Sequence, residues 1–261
     1  MIEIAISLAI IGFALVAIIG ILPLGMTAQR DNRNETIVNQ DASILMDAVR
    51  NGERGLDDLT NYVIGITNYQ TLYNGRNSTG QPRIWGYTSR VTTFNGGIAP
   101  QQFPLTNGYS IIGLLSTPKI QIQPPGGVIY YSNHVVGIFR SLSGPASEKP
   151  PQINPTMQEM ALTYKVVADV SGYGTNFFDP TATNFTSTND IRFNYMILVT
   201  NFQKNLHDVR LTFLWPVLPS GKIGDGRQVY RTMAGGSIVN EGTNNVTPYS
   251  PFWFLQPRTY F

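Results

Sequence analysis

The chain has 261 residues, a formal net charge of +2 and only 13% charged residues, well below the ~25% usual for soluble domains. Hydrophobic residues make up 42%, enough for a sizeable core, and so little charge points to a surface covered by something, copies of the chain included. The 18 Lys and Arg are scattered and cysteine is absent, which excludes a phosphate-tracking basic run, a disulfide, a zinc–thiolate site and a thiol nucleophile.

The first element is residues 1–29, MIEIAISLAIIGFALVAIIGILPLGMTAQ. After Glu3 the next charge is Arg30, and the twenty-six residues between them are uncharged and mostly apolar. As a helix they run ~39 Å, enough to cross a bilayer. A secretory signal peptide would need a basic start and a small-residue cleavage site, and this segment begins with an acid. A plain transmembrane helix fits the length but leaves Glu3 unexplained, because charges of this kind cost ~2.5–3.5 kcal/mol at mid-bilayer. A helix that leaves the membrane and packs against its own copies accounts for both features. The carboxylate then meets a cation from a neighbour, for which the α-amine of an adjacent Met1 is the obvious candidate.

Gly12, Gly20, Pro23 and Gly25 weaken this helix. Gly costs ~1 kcal/mol and Pro ~3 kcal/mol relative to Ala, and Pro23 removes a donor and crowds the preceding turn. Arg30 and Arg33 follow the apolar run. Read literally, the positive-inside rule puts the C-terminal head inside; removal of a basic leader reverses that.

Glu3 followed by Ala9-Ile10-Ile11-Gly12, with nine residues from Glu to Gly, resembles the N-terminal signature of type IV pilins and type II secretion pseudopilins. The resemblance covers residues 1–25. It implies a leader removed by a prepilin peptidase, methylation of the new terminus, insertion in the inner membrane, and assembly into a filament core by pilus machinery. It also implies that the chain extends locally between Gly12 and Pro23 on assembly. Two departures stand out. Only Met1 and Ile2 precede Glu3, where the family commonly has four residues, and Pro23 lies farther from the Glu than the family's proline.

Residues 30–52 continue the helix in amphipathic form and open the head, 30–261. Ile37, Ile44, Leu45 and Ala48 share one face, flanked by Arg33, Asn34, Asp41, Asp47 and Arg50, and Gly52 and Gly55 end it. Residues 56–66 read as a second short helix, with Asp57 and Asp58 near its positive end. From Tyr69 to Tyr109 one strand is expected near Trp85–Phe94, otherwise loops. Residues 69–261 as a whole are expected to be β-rich. Period-two alternation marks strands at Leu162–Val170, Ile191–Val199 and Val209–Trp215, and Val128–Arg140 is a further strand. Pro216, Pro219, Gly221, Gly224 and Gly226 punctuate a loop before a strand at Arg227–Met233. Residues 145–159 and 172–190 are long loops. The tail from Ser237 ends in PFWFLQPRTYF, whose aromatic rings need cover from the head or a neighbour.

A long helix followed by antiparallel strands is an α+β arrangement. No catalytic constellation emerges. His134 and His207 are far apart in strand contexts, and Gly224-x-Gly226 is a turn and not a phosphate cradle. Asp179, Asn184, Asn189 and Asp190 could supply oxygen ligands to calcium, though their spacing is not that of an EF-hand. Sequons occur at Asn34, Asn77, Asn184 and Asn245. The expectation is a non-enzymatic structural subunit of an extracellular pilus-like filament on the cell surface. It polymerises with itself and needs no metal, cofactor or nucleic acid. A minor pseudopilin of a secretion system, or a bitopic membrane protein with an extracytoplasmic binding head, are the alternatives.

Overall fold

A computed structural model describes residues 2–74, 77–88, 101–122, 129–144, 161–173, 201–241 and 252–257. One helix, α1 (Ile2–Asn51), runs without interruption from the apolar segment into the amphipathic one. Its side chains from Ile2 to Arg33, Leu24 aside, are exposed. Beyond Arg33 the pattern changes to a buried stripe of Ile37, Val38, Asp41, Ala42, Leu45, Met46, Ala48 and Val49. These fall in pairs one turn apart, the signature of a helix with one covered face. Two expectations are corrected here. Ile44 lies off the stripe and is 45% exposed, whereas Asp41 sits in the middle of it, fully buried.

Helix α1 ends as a glycine stop. Gly52 takes a positive φ of 61°, its N–H donates to Val49 O, and the Glu53 N–H donates to Ala48 O. This is the paired 5→2 and 6→1 bonding of a Schellman cap. A Cβ at Gly52 would run into the carbonyl of Leu255, so space and conformation both demand glycine.

The second short helix is a single 3₁₀ turn, Asp57–Asn61. Its Asp57 carboxylate accepts the Gly108 N–H at 2.9 Å, so the acid serves the start of another helix, α2 (Gly108–Leu115). Residues 63–66, read as helix, instead begin a strand.

The strands are β1 (Val63–Asn74), β2 (Asn77–Thr88), β3 (Gln101–Pro104), β4 (Ile120–Ile122), β5 (Ile129–Arg140), β6 (Thr163–Gly172), β7 (Leu206–Val217) and β8 (Ile223–Gly235), followed by β9 (Ser237–Asn240) and β10 (Trp253–Gln256). The main sheet has the order β3-β2-β1-β5-β6-β7-β8, with β4 also paired to β5; β9 and β10 form a separate ribbon. Every pairing is antiparallel except β2 with β3, which is parallel. The fold is thus α+β, a long N-terminal helix with a mainly antiparallel sheet.

The alternation at 162–170 and 209–215 corresponds to β6 and β7. Tyr164, Val166, Ala168 and Val170 face the same core as Val209, Leu211, Phe213 and Trp215. Three further corrections concern glycine- and amide-rich stretches. The stretch from Tyr69 holds the second half of β1 and all of β2, not one strand among loops. The sheet therefore begins at Val63, ahead of the expected start at residue 69. Gly224 and Gly226 lie inside β8, where Pro216 and the Trp215 ring occupy the space their side chains would need. The strand expected at 191–199, most of the two long loops, and the four calcium candidates lie outside the described residues. The tail is anchored through β10, where Phe254 and Leu255 are buried.

One cluster of buried side chains draws on α1, α2, β1, β5, β6, β7 and β10. Aromatic rings fill much of it: Phe139 against Tyr164, Tyr164 against Phe213, and Tyr109 against Phe254 at 4.6 Å.

Candidate functional site

The sequence points to the first half of α1 as the functional element. Glu3 is its lone charge, on the first turn, where a carboxylate suits the helix dipole. Its backbone carbonyl accepts the Ser7 hydroxyl at 2.9 Å. Met1 lies outside the described residues. Gly12, Gly20 and Gly25 have open space where a side chain would stand, so nothing else in the described chain requires glycine there. Pro23 sits inside the helix, and the Thr27 hydroxyl donates to its carbonyl at 2.6 Å. The helix stays α-helical through all four of these positions. Weak propensity alone does not break it in the single chain.

The physical oddity of this segment is its cover. Ile2, Ile4, Ile6, Leu8, Ile10, Ile11 and Phe13 point in all directions around the axis and are exposed, Phe13 by 79%. A helix apolar on every side belongs to the core of a large protein or to a membrane span. This one is long and apolar enough to cross a membrane.

The second half of α1 shows how the helix is held by the head. The buried Asp41 carboxylate accepts the backbone N–H groups of Leu142 and Ser143, each at 2.9 Å, as well as the Ser143 hydroxyl and the Tyr164 hydroxyl at 3.0 Å. Burial pushes the Asp41 carboxyl up, and these four donors only partly offset it. The same burial, then the nearby Asp41 carboxylate, drives the Tyr164 hydroxyl well above its ordinary range. The Tyr230 hydroxyl donates to Asn39 on the same helix. Asp41 therefore clamps α1 to the connection after β5 and to β6 at once. Sequence reasoning placed it on a solvated flank, because a lone acid at helical spacing carries no sign of four donors supplied from 101 to 123 residues away.

A second latch fixes the end of the helix to the C-terminal ribbon. Arg54 pairs with Glu241, which accepts the Tyr109 hydroxyl at 2.7 Å. The Arg54 guanidinium lies 5.1 Å from the Phe254 ring centroid, a cation–π contact. Burial and the Glu241 carboxylate push the Tyr109 hydroxyl up to about 12.

The histidines are not brought together. His134 stands exposed on β5 beside Tyr69, ring centroids 6.1 Å apart. His207 is buried at the start of β7, two strands away in the sheet. Compared with family models, with curated proteins and with solved structures, the chain has no significant match in any of the three.

Proposed function

We propose that this chain is a structural subunit of an extracellular filament of the type IV pilin kind, polymerising through the first half of α1. The observation that carries this reading is the junction in one helix. A rod bare of cover and apolar all round continues, with no linker, into a segment locked in the core of a folded head. A flexible tether would suffice for a membrane-anchored head. A rigid junction is what a polymer needs if heads are to be held in register by their rods.

Assembly moves apolar side chains from lipid to one another, so packing and not hydrophobicity selects the final state. Glu3 supplies the register. A carboxylate within an apolar bundle is costly unless paired, and the N-terminal α-amine of a neighbouring chain is the cation proposed to pair with it. Buried charges of this kind act as register devices more than as stabilisers. Gly12, Gly20, Pro23 and Gly25 let the rod extend locally once neighbours replace its own backbone partners.

The test is Glu3→Ala in cells that carry pilus assembly machinery, measured as filament mass sheared from the surface. The account predicts at least a tenfold loss of filaments with no change in the melting temperature of the purified chain in micelles. Normal filament yield from Glu3→Ala would overturn the register role. A wild-type chain that yields only detergent-soluble monomers would favour a bitopic membrane protein.

A further inference from the structure

The two edges of the main sheet differ. β3, at one end of the strand order, has four residues, whereas β8, at the other, has 13. β7 pairs with β8 along its length, from Gly235 back to Ile223, and no described strand takes the opposite edge. An edge strand carries a row of unpaired N–H and C=O groups, a template for another strand, and proteins blunt such edges with short strands, proline or charge. β8 is long and contains no proline. Its outward row, Asp225, Arg227, Val229, Arg231 and Met233, is exposed, the two apolar members by 44% and 42%. The charges in this row would guard the edge if they clashed with every copy, and their order does the opposite.

Laid antiparallel on a second β8 with Gln228 on the two-fold axis, Asp225 of each copy falls opposite Arg231 of the other. Ile223 then faces Met233, and Arg227 faces Val229. On the inward row, Tyr230 and Thr232 fall opposite Gly226 and Gly224, which add no side chain. Moving the axis by one residue, to Arg227 or to Val229, sets arginine against arginine. An axis between residues sets outward side chains against inward ones. Opposite charges across a strand pair stabilise it and like charges destabilise it, so the Gln228 register is selected over its neighbours. The groups it needs are available. Asp225 and Arg227 have no ion pair among the described residues. Arg231 donates to Asp208 through Nε at 2.7 Å, but its side chain is 58% exposed, and its outer nitrogens can meet a second carboxylate.

We propose that β8 is an interface for a second copy of this chain, paired antiparallel about Gln228. The contact presents the same strand from both sides, so it joins two heads and closes. It does not depend on the rod. Between assembled rods it ties one filament to another of opposite direction.

The test uses the full chain in detergent micelles. Because it has no native cysteine, single substitutions read the register through disulfide formation. Gln228→Cys places two cysteines directly opposite, ~4.5–5.5 Å apart between Cα atoms, a separation that a disulfide spans. Met233→Cys places them ~33 Å apart along the strands, although it is the more exposed site. The expected result is linked dimer at least tenfold faster from Gln228→Cys than from Met233→Cys. In the Gln228→Cys chain, adding Asp225→Lys or Arg231→Glu should slow linking at least tenfold, with unchanged circular dichroism. Mixing those two chains should restore linking between them, because each substituted charge then meets its opposite. If Arg231→Glu fails to fold, Asp225→Lys and the cysteine comparison decide. Equal linking at the two cysteines, or linking indifferent to Asp225→Lys, would overturn the proposal. So would a folded Gln228→Cys chain that does not link, which would leave β8 an edge guarded by its charges. Glu3→Ala should leave all of these rates unchanged, so failure here is distinct from failure of the filament reading.

Discussion

The two halves of α1 follow opposite rules within one unbroken helix. From Ile2 to Arg33 the described side chains, Glu3 among them, are exposed, and no side chain from the head covers them. From Ile37 to Val49 the helix is covered on one face, and the acid buried there, Asp41, receives four donors from the head. A buried charge is tolerated where the same chain supplies its partners. Glu3 receives no such donors from the described head residues, and its side chain stays exposed.

The sharpest way to test the contrast is to delete each acid in turn. Asp41→Ala strands two backbone donors and the Tyr164 hydroxyl, and should cost about 3–5 kcal/mol of head stability, read by denaturant unfolding of the chain in micelles. Glu3→Ala should leave the same curve in place and act only on assembly. A small effect of Asp41→Ala would mean that the clamp does not hold the helix.

Neighbouring residues sharpen the picture at finer grain. Leu45→Ala should lower stability by about 2–5 kcal/mol, as for other buried leucines, whereas Ile44→Ser, one position earlier, should stay within about 0.5 kcal/mol. Equal effects at the two positions would show that the covered stripe is misplaced.

A further effect expected is a pH dependence from His207. Burial lowers its folded pKa below the unfolded 6.5, so the folded state resists protonation. Its contribution is therefore complete above about pH 6.5 and is lost as pH falls through the folded pKa, at no more than about 1.4 kcal/mol per pH unit. Thermal melts of wild type and His207→Gln between pH 7 and pH 5 should converge as the pH falls. Parallel curves would contradict the burial.

Much of this architecture is legible in the sequence where hydropathy alone decides position. The single charge before Arg30 marks the bare rod, period two marks β6 and β7, and Gly52 marks the helix end. It fails where polar groups are buried with partners distant in sequence. Gln70 falls in a stretch read as mostly loop, yet it and Asn68 both donate to the Asn133 side chain on the adjacent strand, whose own amide donates to the Pro118 carbonyl at 2.9 Å. Gly226 reads as a turn until the Trp215 ring is seen filling its place.

The central claim is that the bare half of α1 is buried by other copies of the chain. Because the chain has no native cysteine, a nitroxide on Phe13→Cys reports on that half alone. In assembled surface material its electron paramagnetic resonance spectrum should show strong dipolar coupling between chains, relieved by mixing with unlabelled chain, together with protection from lipid-soluble relaxation agents. An uncoupled label fully open to those agents in such material would contradict the account.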